Sequence, residues 1–520
     1  MKSRNKDISA AGSADKPEEE AKNMSCSTFL VGKKASYDGS TMIARNEDVC
    51  FEVKKFVVVN PQDQPVHYRS TGGHFKMDLP KNPMRYTACP CVDPDSGLCR
   101  GIWAADGINE ANVGMTATET TTSNPRVLGA DPLVVWQPAD GEKPEVPGGI
   151  GEEDMVVIVL PYIRSAREGV LRLGSLLEQY GTSEINGIAF NDRDEVWWME
   201  TIGGHHWAAR RVRDEECVFM PNRFGLDEFD FKDALGKGQD HLCSADLPEF
   251  IEKNFLNLNQ QLSGGLNPDG AFSLRNIFGT QSDYDHAYNT PREWYAGRTL
   301  NPTRFRWDGK DADYGPESND IPWSRVPEKK ITVENVKAIL SSHYQGTPFD
   351  PYAASADRKG VYRPVGMRDT SHLAICQIRG YLPEEIQGVE WICCGSTTFN
   401  ALFPVYTNVS RLPSYLSDVT LDVSTNTLYW SSRMIGALAD MNYGSCLMQI
   451  ERYHNRTAVK GHELLELYDR RFMDNKDSAA GISEEANEKL CAMMQEQAAQ
   501  CLQQVLQTAG EHMKNNFSIS

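Results

Sequence analysis

Cys26, Arg45 and Asp48 are the residues near the start of this chain whose types and spacing could do chemistry. They lie within "MSCSTFLVGKKASYDGSTMIARNED", residues 24–48. A thiol on a residue that also carries a free α-amine is a complete nucleophile-and-base pair. If the peptide bond before Cys26 is cut, the new amine has a pKa of roughly 8. It can take the thiol proton and later return it to a leaving amine, so no catalytic histidine is needed. Arg45 is placed to lower the thiol pKa, and Asp48 to hold the α-amine. On spacing alone, a solvated charge cluster at a strand end is the preferred reading of Arg45 and Asp48, and Cys26 also fits a small core residue.

A hairpin must position these groups. "STFLV" reads as a strand, Asp38-Gly39 as the turn, and "TMIARN" as the returning strand that carries Arg45 back beside Cys26. A second hairpin is expected in "GIWAADGINEANVGMTATET", with its turn over Asp106 to Asn112. Helical spacing of Ile163, Ala166, Val170, Leu173, Leu176 and Leu177 predicts a helix over Tyr162–Tyr180, stopped by Gly181. A meander follows through "INGIAF", "EVWWMET", "HHWAARRV" and "CVFMP". In it Val196, Trp198 and Glu200 face one side and Trp197 and Met199 the other, which predicts a strand covered on both faces.

Residues 225–330 are rich in Asp, Asn, Gly and Pro and read as a loop-rich insertion, with a short helix near "DLPEFIEKNF". Further strands are expected over about 370–435, in "HLAICQIRG", "EWICCGST" and "NTLYWSS". A strong helix pattern closes the chain over Ser483–Thr508. The expected organisation is a disordered leader (1–25), a catalytic domain (26–450) and a helical extension (451–520). The fold class is α+β, and a four-layer αββα sandwich of antiparallel sheets is one way to cover both faces of each sheet.

Composition narrows the function. Acidic residues outnumber basic ones 72 to 53, a formal charge of −19 in 520 residues. That balance opposes binding to nucleic acid or to anionic membrane surfaces. The longest apolar run, "MVVIVLPYI", is too short to span a bilayer, and the first 25 residues lack the apolar core of a secretory signal. A cytoplasmic protein is expected, and the 13 cysteines, an odd and scattered set, suit reduced thiols. Cys89, Cys91 and Cys99 form C-x-C-x7-C without a second half, so a loop with buried thiols is preferred over a zinc clip. His205 and His206 are expected in a strand, where neighbours point to opposite faces, which argues against a shared metal. The chain has no G-x-S-x-G, H-E-x-x-H or G-x-x-x-x-G-K-[ST] motif. No metal or organic cofactor is expected.

The segment "CSTFLVGKKASYDGSTMIARNED" resembles the opening of the PepD-type cysteine dipeptidases, members of the N-terminal-nucleophile hydrolases. The resemblance extends more loosely through "DGINEANVGMTATET", "GIAFNDRDEVWWMETIGGHHWAA" and "TPREW". It implies an αββα fold, autocatalytic exposure of the nucleophile and hydrolysis of dipeptides. Cys26 falls on the nucleophile, and Arg45 and Asp48 on an R-N-x-D pattern shared with bile-salt and penicillin V acylases. Asn222, in "CVFMPNRF", is the counterpart of an oxyanion-hole asparagine. Glu119, in "TATET", stands where those acylases have a second donor; an ionised glutamate cannot donate, and it could instead bind the substrate's free amine. Arg292, in "NTPREW", either matches an arginine of the acylase motif or pairs with a carboxylate. With 25 residues ahead of Cys26, one backbone cleavage is needed, expected by attack of the thiol on the Ser25 carbonyl. The rival readings are an N-acyl amidase, separable by substrate, and a non-catalytic secernin-like interaction protein, which would keep its leader. A homo-oligomer is compatible with the acidic surface and the closing helix.

Overall fold

The computed structural model describes residues 25–49, 52–92, 102–116, 119–258, 272–353, 355, 358–474 and 479–514. The expected leader up to residue 24, and Cys99, lie outside the described residues. Two large antiparallel sheets carry the site. Their strands in chain order are β1 (Ser25–Val31), β2 (Thr41–Asp48), β3 (Asp106–Ile108), β4 (Gly114–Thr116), β5 (Glu119–Thr120), β6 (Asn186–Asn191) and β7 (Val196–Ile202). They continue as β8 (His206–Val212), β9 (Cys217–Met220), β10 (His241–Cys243), β11 (Ser324–Arg325), β12 (Thr370–Ile378), β13 (Gly388–Cys394) and β14 (Phe403–Tyr406). The first sheet runs β11-β9-β1-β2-β12-β13-β14. The second runs β10-β8-β7-β6-β4-β3, with β5 also pairing to β6.

The β1–β2 hairpin forms as its sequence predicts. Gly39 takes φ +86, a conformation cheap only for glycine, and the Asp38 carboxylate accepts from the Ser40 backbone N–H at 3.0 Å. Antiparallel register then sets Ser25 opposite Asp48, Cys26 opposite Glu47 and Thr28 opposite Arg45. Because side chains alternate, Cys26, Arg45 and Glu47 share one face of the sheet.

The helices used below are α1 (Glu152–Val159), α2 (Ala166–Tyr180), α3 (Thr290–Leu300), α4 (Val333–Leu340), α5 (Leu428–Met441), α6 (Tyr443–Asp474) and α7 (Ala479–Glu511). Apolar packing unites them with the sheets in three groups. Trp197 and Met199 of β7 pack with Val156, Ile158, Val170 and Leu173 of α1 and α2. Val196 and Trp198, on the other face of the same strand, pack with Leu30, Ile43, Val218 and Cys376 of the first sheet. Phe29, Met42, Phe219 and Ile375 pack with Val336 of α4, Ile435 of α5, Ile450 of α6 and Leu490 of α7. The two-faced reading of "EVWWMET" is thus what the structure has.

Four expectations need correction. "CVFMP" does not continue the meander: β9 crosses to the first sheet and pairs with β1, which brings Asn222 towards Cys26. "NTLYWSS" starts a helix rather than a strand; Leu428, Tyr429, Ser432, Ile435 and Ala439 of α5 are buried at helical spacing, and that packing overrides the β-propensity of Tyr and Trp. The boundary at 450/451 falls inside α6, a continuous 32-residue helix. Asp106 to Ile108, assigned to a turn, is strand β3, and the chain reverses only after it.

Candidate active site

Cys26 and Arg45 are fully buried, and an Arg45 terminal nitrogen donates to Cys26 Sγ at 2.7 Å. The same nitrogen donates to Glu152 Oε1 at 2.5 Å, while the other terminal nitrogen donates to the Ala105 carbonyl at 3.2 Å. Burial pulls the guanidinium's pKa down, but Cys26, Glu152 and Glu47 outweigh it and hold it well above its ordinary value. Arg45 is therefore a fixed cation, and a cation at that distance favours the thiolate.

Glu152 was not singled out from the sequence. It opens α1 directly after Gly151, where three acids in the first turn suit the helix dipole. Burial, partly opposed by Arg45, raises its carboxyl to about 8. Its backbone N–H donates to Glu184 Oε1 at 2.7 Å, and burial lifts Glu184 to about 7. Two acids, Cys26 and Glu152, thus share one guanidinium nitrogen.

Asp48 lies opposite Ser25, so the Ser25–Cys26 peptide bond sits between the pairs Ser25/Asp48 and Cys26/Glu47. Its carboxylate accepts from Thr370 Oγ1 at 2.5 Å and from Arg363. Burial pushes the carboxyl up against the pull of both partners. Neither Arg363 nor Thr370 carries a local motif that would have announced it.

Asn222 follows β9. The β1–β9 register, Thr28 to Met220, carried on by two residues would oppose Asn222 to Cys26. Its Oδ1 accepts from Arg292 at 2.8 Å, while its buried Nδ2 has no hydrogen-bond partner among the described residues. Arg292, in the first turn of α3, is fully buried and also donates to the Cys26 carbonyl at 2.7 Å, Ser27 Oγ at 2.8 Å and Asn289 Oδ1 at 2.9 Å. One arginine thus fixes both the Cys26 backbone and the direction of the Asn222 amide. These contacts are to carbonyl, amide and hydroxyl groups. Glu119 begins β5, which lies against β1; its side chain lies outside the described residues.

Beside this group runs a buried ion network. Glu47 meets Lys54 Nζ at 2.9 Å and His372 Nδ1 at 2.9 Å, and His372 Nε2 meets Asp106 Oδ2 at 2.7 Å. Lys54 Nζ also lies 3.0 Å from Cys91 Sγ. His205 and His206 differ from expectation. Only His206 is in the strand; His205 sits in the preceding turn, so both imidazoles reach Asp131, at 3.0 and 2.7 Å. Among the described residues no cluster of His, Cys, Asp or Glu could hold a metal ion, and no helix is long and apolar enough to cross a membrane.

Residues 25–456 match the family described as Peptidase family C69. The chain belongs to that family. It is 47% identical over 541 residues to "Dipeptidase" of Bifidobacterium longum, covering 96% of this chain and 100% of that one. It is 46% identical over 502 residues to "Probable dipeptidase A" of Streptococcus pyogenes serotype M3, with the same coverage. "Probable dipeptidase B" of Lactococcus lactis is 41% identical over 501 residues, covering 95% of this chain and 98% of its own. The C69 match begins at Ser25, one residue ahead of the thiol that Arg45 holds.

Proposed function

We propose that this C69 peptidase is a cysteine dipeptidase, with Cys26 Sγ as nucleophile once cleavage after Ser25 has freed the Cys26 α-amine. Support comes from the family, from relatives named dipeptidase, and above all from one distance: Arg45 held 2.7 Å from Cys26 Sγ. The thiolate attacks the carbonyl carbon of a dipeptide, and negative charge moves to its oxygen. Asn222 Nδ2 donates to that oxygen; such a donor lowers the barrier by about 2.7–4 kcal/mol. The Cys26 α-ammonium gives its proton to the departing amine, leaving a thioester on Sγ. Water, deprotonated by the now neutral amine, releases the second amino acid and restores the thiolate.

Asp48 holds the α-amine, and Arg363 and Thr370 hold Asp48. Arg292 is assigned as a positioning residue for Cys26 and Asn222, and Glu119 as the group that receives the substrate's free amine. For the fold, the finer reading is the four-layer αββα sandwich of N-terminal-nucleophile hydrolases. The separate groups of α1–α2 on one sheet, α4–α7 on the other, and apolar contacts between the sheets support it.

Intact-mass spectrometry of wild type and Cys26→Ala, with a dipeptide assay on both, tests the proposal. A wild-type mass beginning at Cys26 is expected, with an uncleaved and inactive variant. A wild type that keeps its leader and hydrolyses no dipeptide would sink it.

A further inference from the structure

A cavity of about 540 Å³ opens on the face of the first sheet that carries the closing helices, away from Cys26. Its walls come from α4, Trp391 of β13, the segment that follows β13, and the first half of α6. Trp391, Phe399, Leu402 and Ile450 make most of the lining apolar. Lys337 enters it from α4.

The ammonium of Lys337 has an unusual setting. Among the described residues it forms no ion pair, and its polar neighbour is His454 Nδ1 at 3.4 Å. Burial lowers Lys337 to about 8, so it stays largely protonated at neutral pH, while the same cause pulls His454 well below its ordinary value and leaves it uncharged. The two carboxylates of the lining do not neutralise Lys337: Glu334 is held by His462 Nε2 at 2.6 Å, and Glu451 is exposed. Lys337 is half-buried against apolar walls, and a partly desolvated cation without a counter-charge carries an unrecovered desolvation cost. An anion removes that cost, and the walls favour one with an apolar body.

We propose that this cavity binds an organic monocarboxylate with an apolar body, its carboxylate on Lys337 Nζ and its body against Trp391, Phe399 and Leu402. The site is separate from the peptidase centre, so its test needs no turnover. The probe is 4-phenylbutyrate, titrated into the full chain and followed by calorimetry and tryptophan fluorescence, with 4-phenylbutanol as an uncharged control of the same shape. Saturable one-to-one binding of the carboxylate is expected. The alcohol should bind wild type at least about tenfold more weakly, as should the carboxylate to Lys337→Met, since a charge-assisted hydrogen bond is lost in each case. Lys337→Arg should retain most of the affinity, and none of these changes should alter dipeptide hydrolysis. Equal binding of acid and alcohol overturns the proposal on unmodified protein, whatever the variants do. So does the absence of saturable binding up to about 10 mM.

Discussion

The two ends of the hairpin that opens the described chain place cysteines in opposite circumstances. At one end Cys26 is fully buried beside the Arg45 guanidinium. At the other, Val31 is paired with Cys217 of β9, equally buried, whose Sγ donates to the Arg325 carbonyl at 3.4 Å. Burial pushes the Cys217 thiol up to about 12, and Arg325 only partly counters it. Burial alone therefore makes a thiol inert. A guanidinium with its own charge secured, aimed at sulfur, favours the thiolate in the same residue type a few positions along one sheet.

That contrast can be broken most sharply at the sulfurs themselves. Cys26→Ala should reduce kcat/KM for dipeptides by at least about 10³-fold. Cys217→Ala should leave it within about twofold and cost on the order of 1 kcal/mol in unfolding free energy. A large loss of activity in the Cys217 variant without unfolding would show that the two ends are not distinct. Next in size is Asn222→Ala, expected to lower kcat by about 10²–10³-fold with little change in KM, because its amide acts on charge that develops only in the transition state.

Glu152→Gln sharpens the comparison without removing either thiol. Glu152 ionises only near pH 8 in the folded protein and glutamine never does. Around and above that pH the variant's thiolate therefore no longer shares the cation with a second anion. The pH midpoint for alkylation of Cys26 by iodoacetamide should move down by roughly one unit, equivalent to about 1.4 kcal/mol, while Cys217 stays unreactive in the folded protein. The other ionisable groups facing this pair, Glu47 and Glu184, remain in the variant. An unmoved midpoint would mean that Glu152 only packs.

The smallest effect is on stability. Glu152, Glu184 and Asp154 have carboxyls raised by burial to about 8, 7 and 7. Between pH 5.5 and 8 these three groups therefore bind more protons in the folded protein than in the unfolded chain, and their contribution to stability falls as pH rises. The thermal midpoint should drop by at least about 2 °C across that window. The Glu152→Gln/Glu184→Gln double variant should flatten the slope.

How far the site was legible depends on sequence distance. Cys26, Arg45 and Asp48 belong to one hairpin. Its turn chemistry and period-two pattern bring Arg45 and Glu47 onto the face of Cys26 and set Asp48 opposite Ser25 on the other, while the roles given to Arg45 and Asp48 came from resemblance. Asn222 and Arg292 came from resemblance, since nothing local says that β9 would leave the meander and pair with β1. Glu152, Arg363 and Thr370 were invisible: each reaches its partner only when distant strands and helices close over the hairpin. The α5 helix was misread for the same reason, because its burial against the C-terminal helices exceeds what Tyr and Trp prefer locally.

The span between Asp48 and its partners has a consequence for how the protein is made. Arg292 follows Cys26 by 266 residues, and Thr370 follows Asp48 by 322. At a synthesis rate of about 5–20 residues per second, Thr370 leaves the ribosome roughly 15–65 s after Asp48. A nascent chain holds its thiol from the outset but none of the distant groups that aim it. Under the proposed mechanism the enzyme is born disarmed, and only a chain whose later segments have been made and folded back onto the first hairpin acquires a working centre.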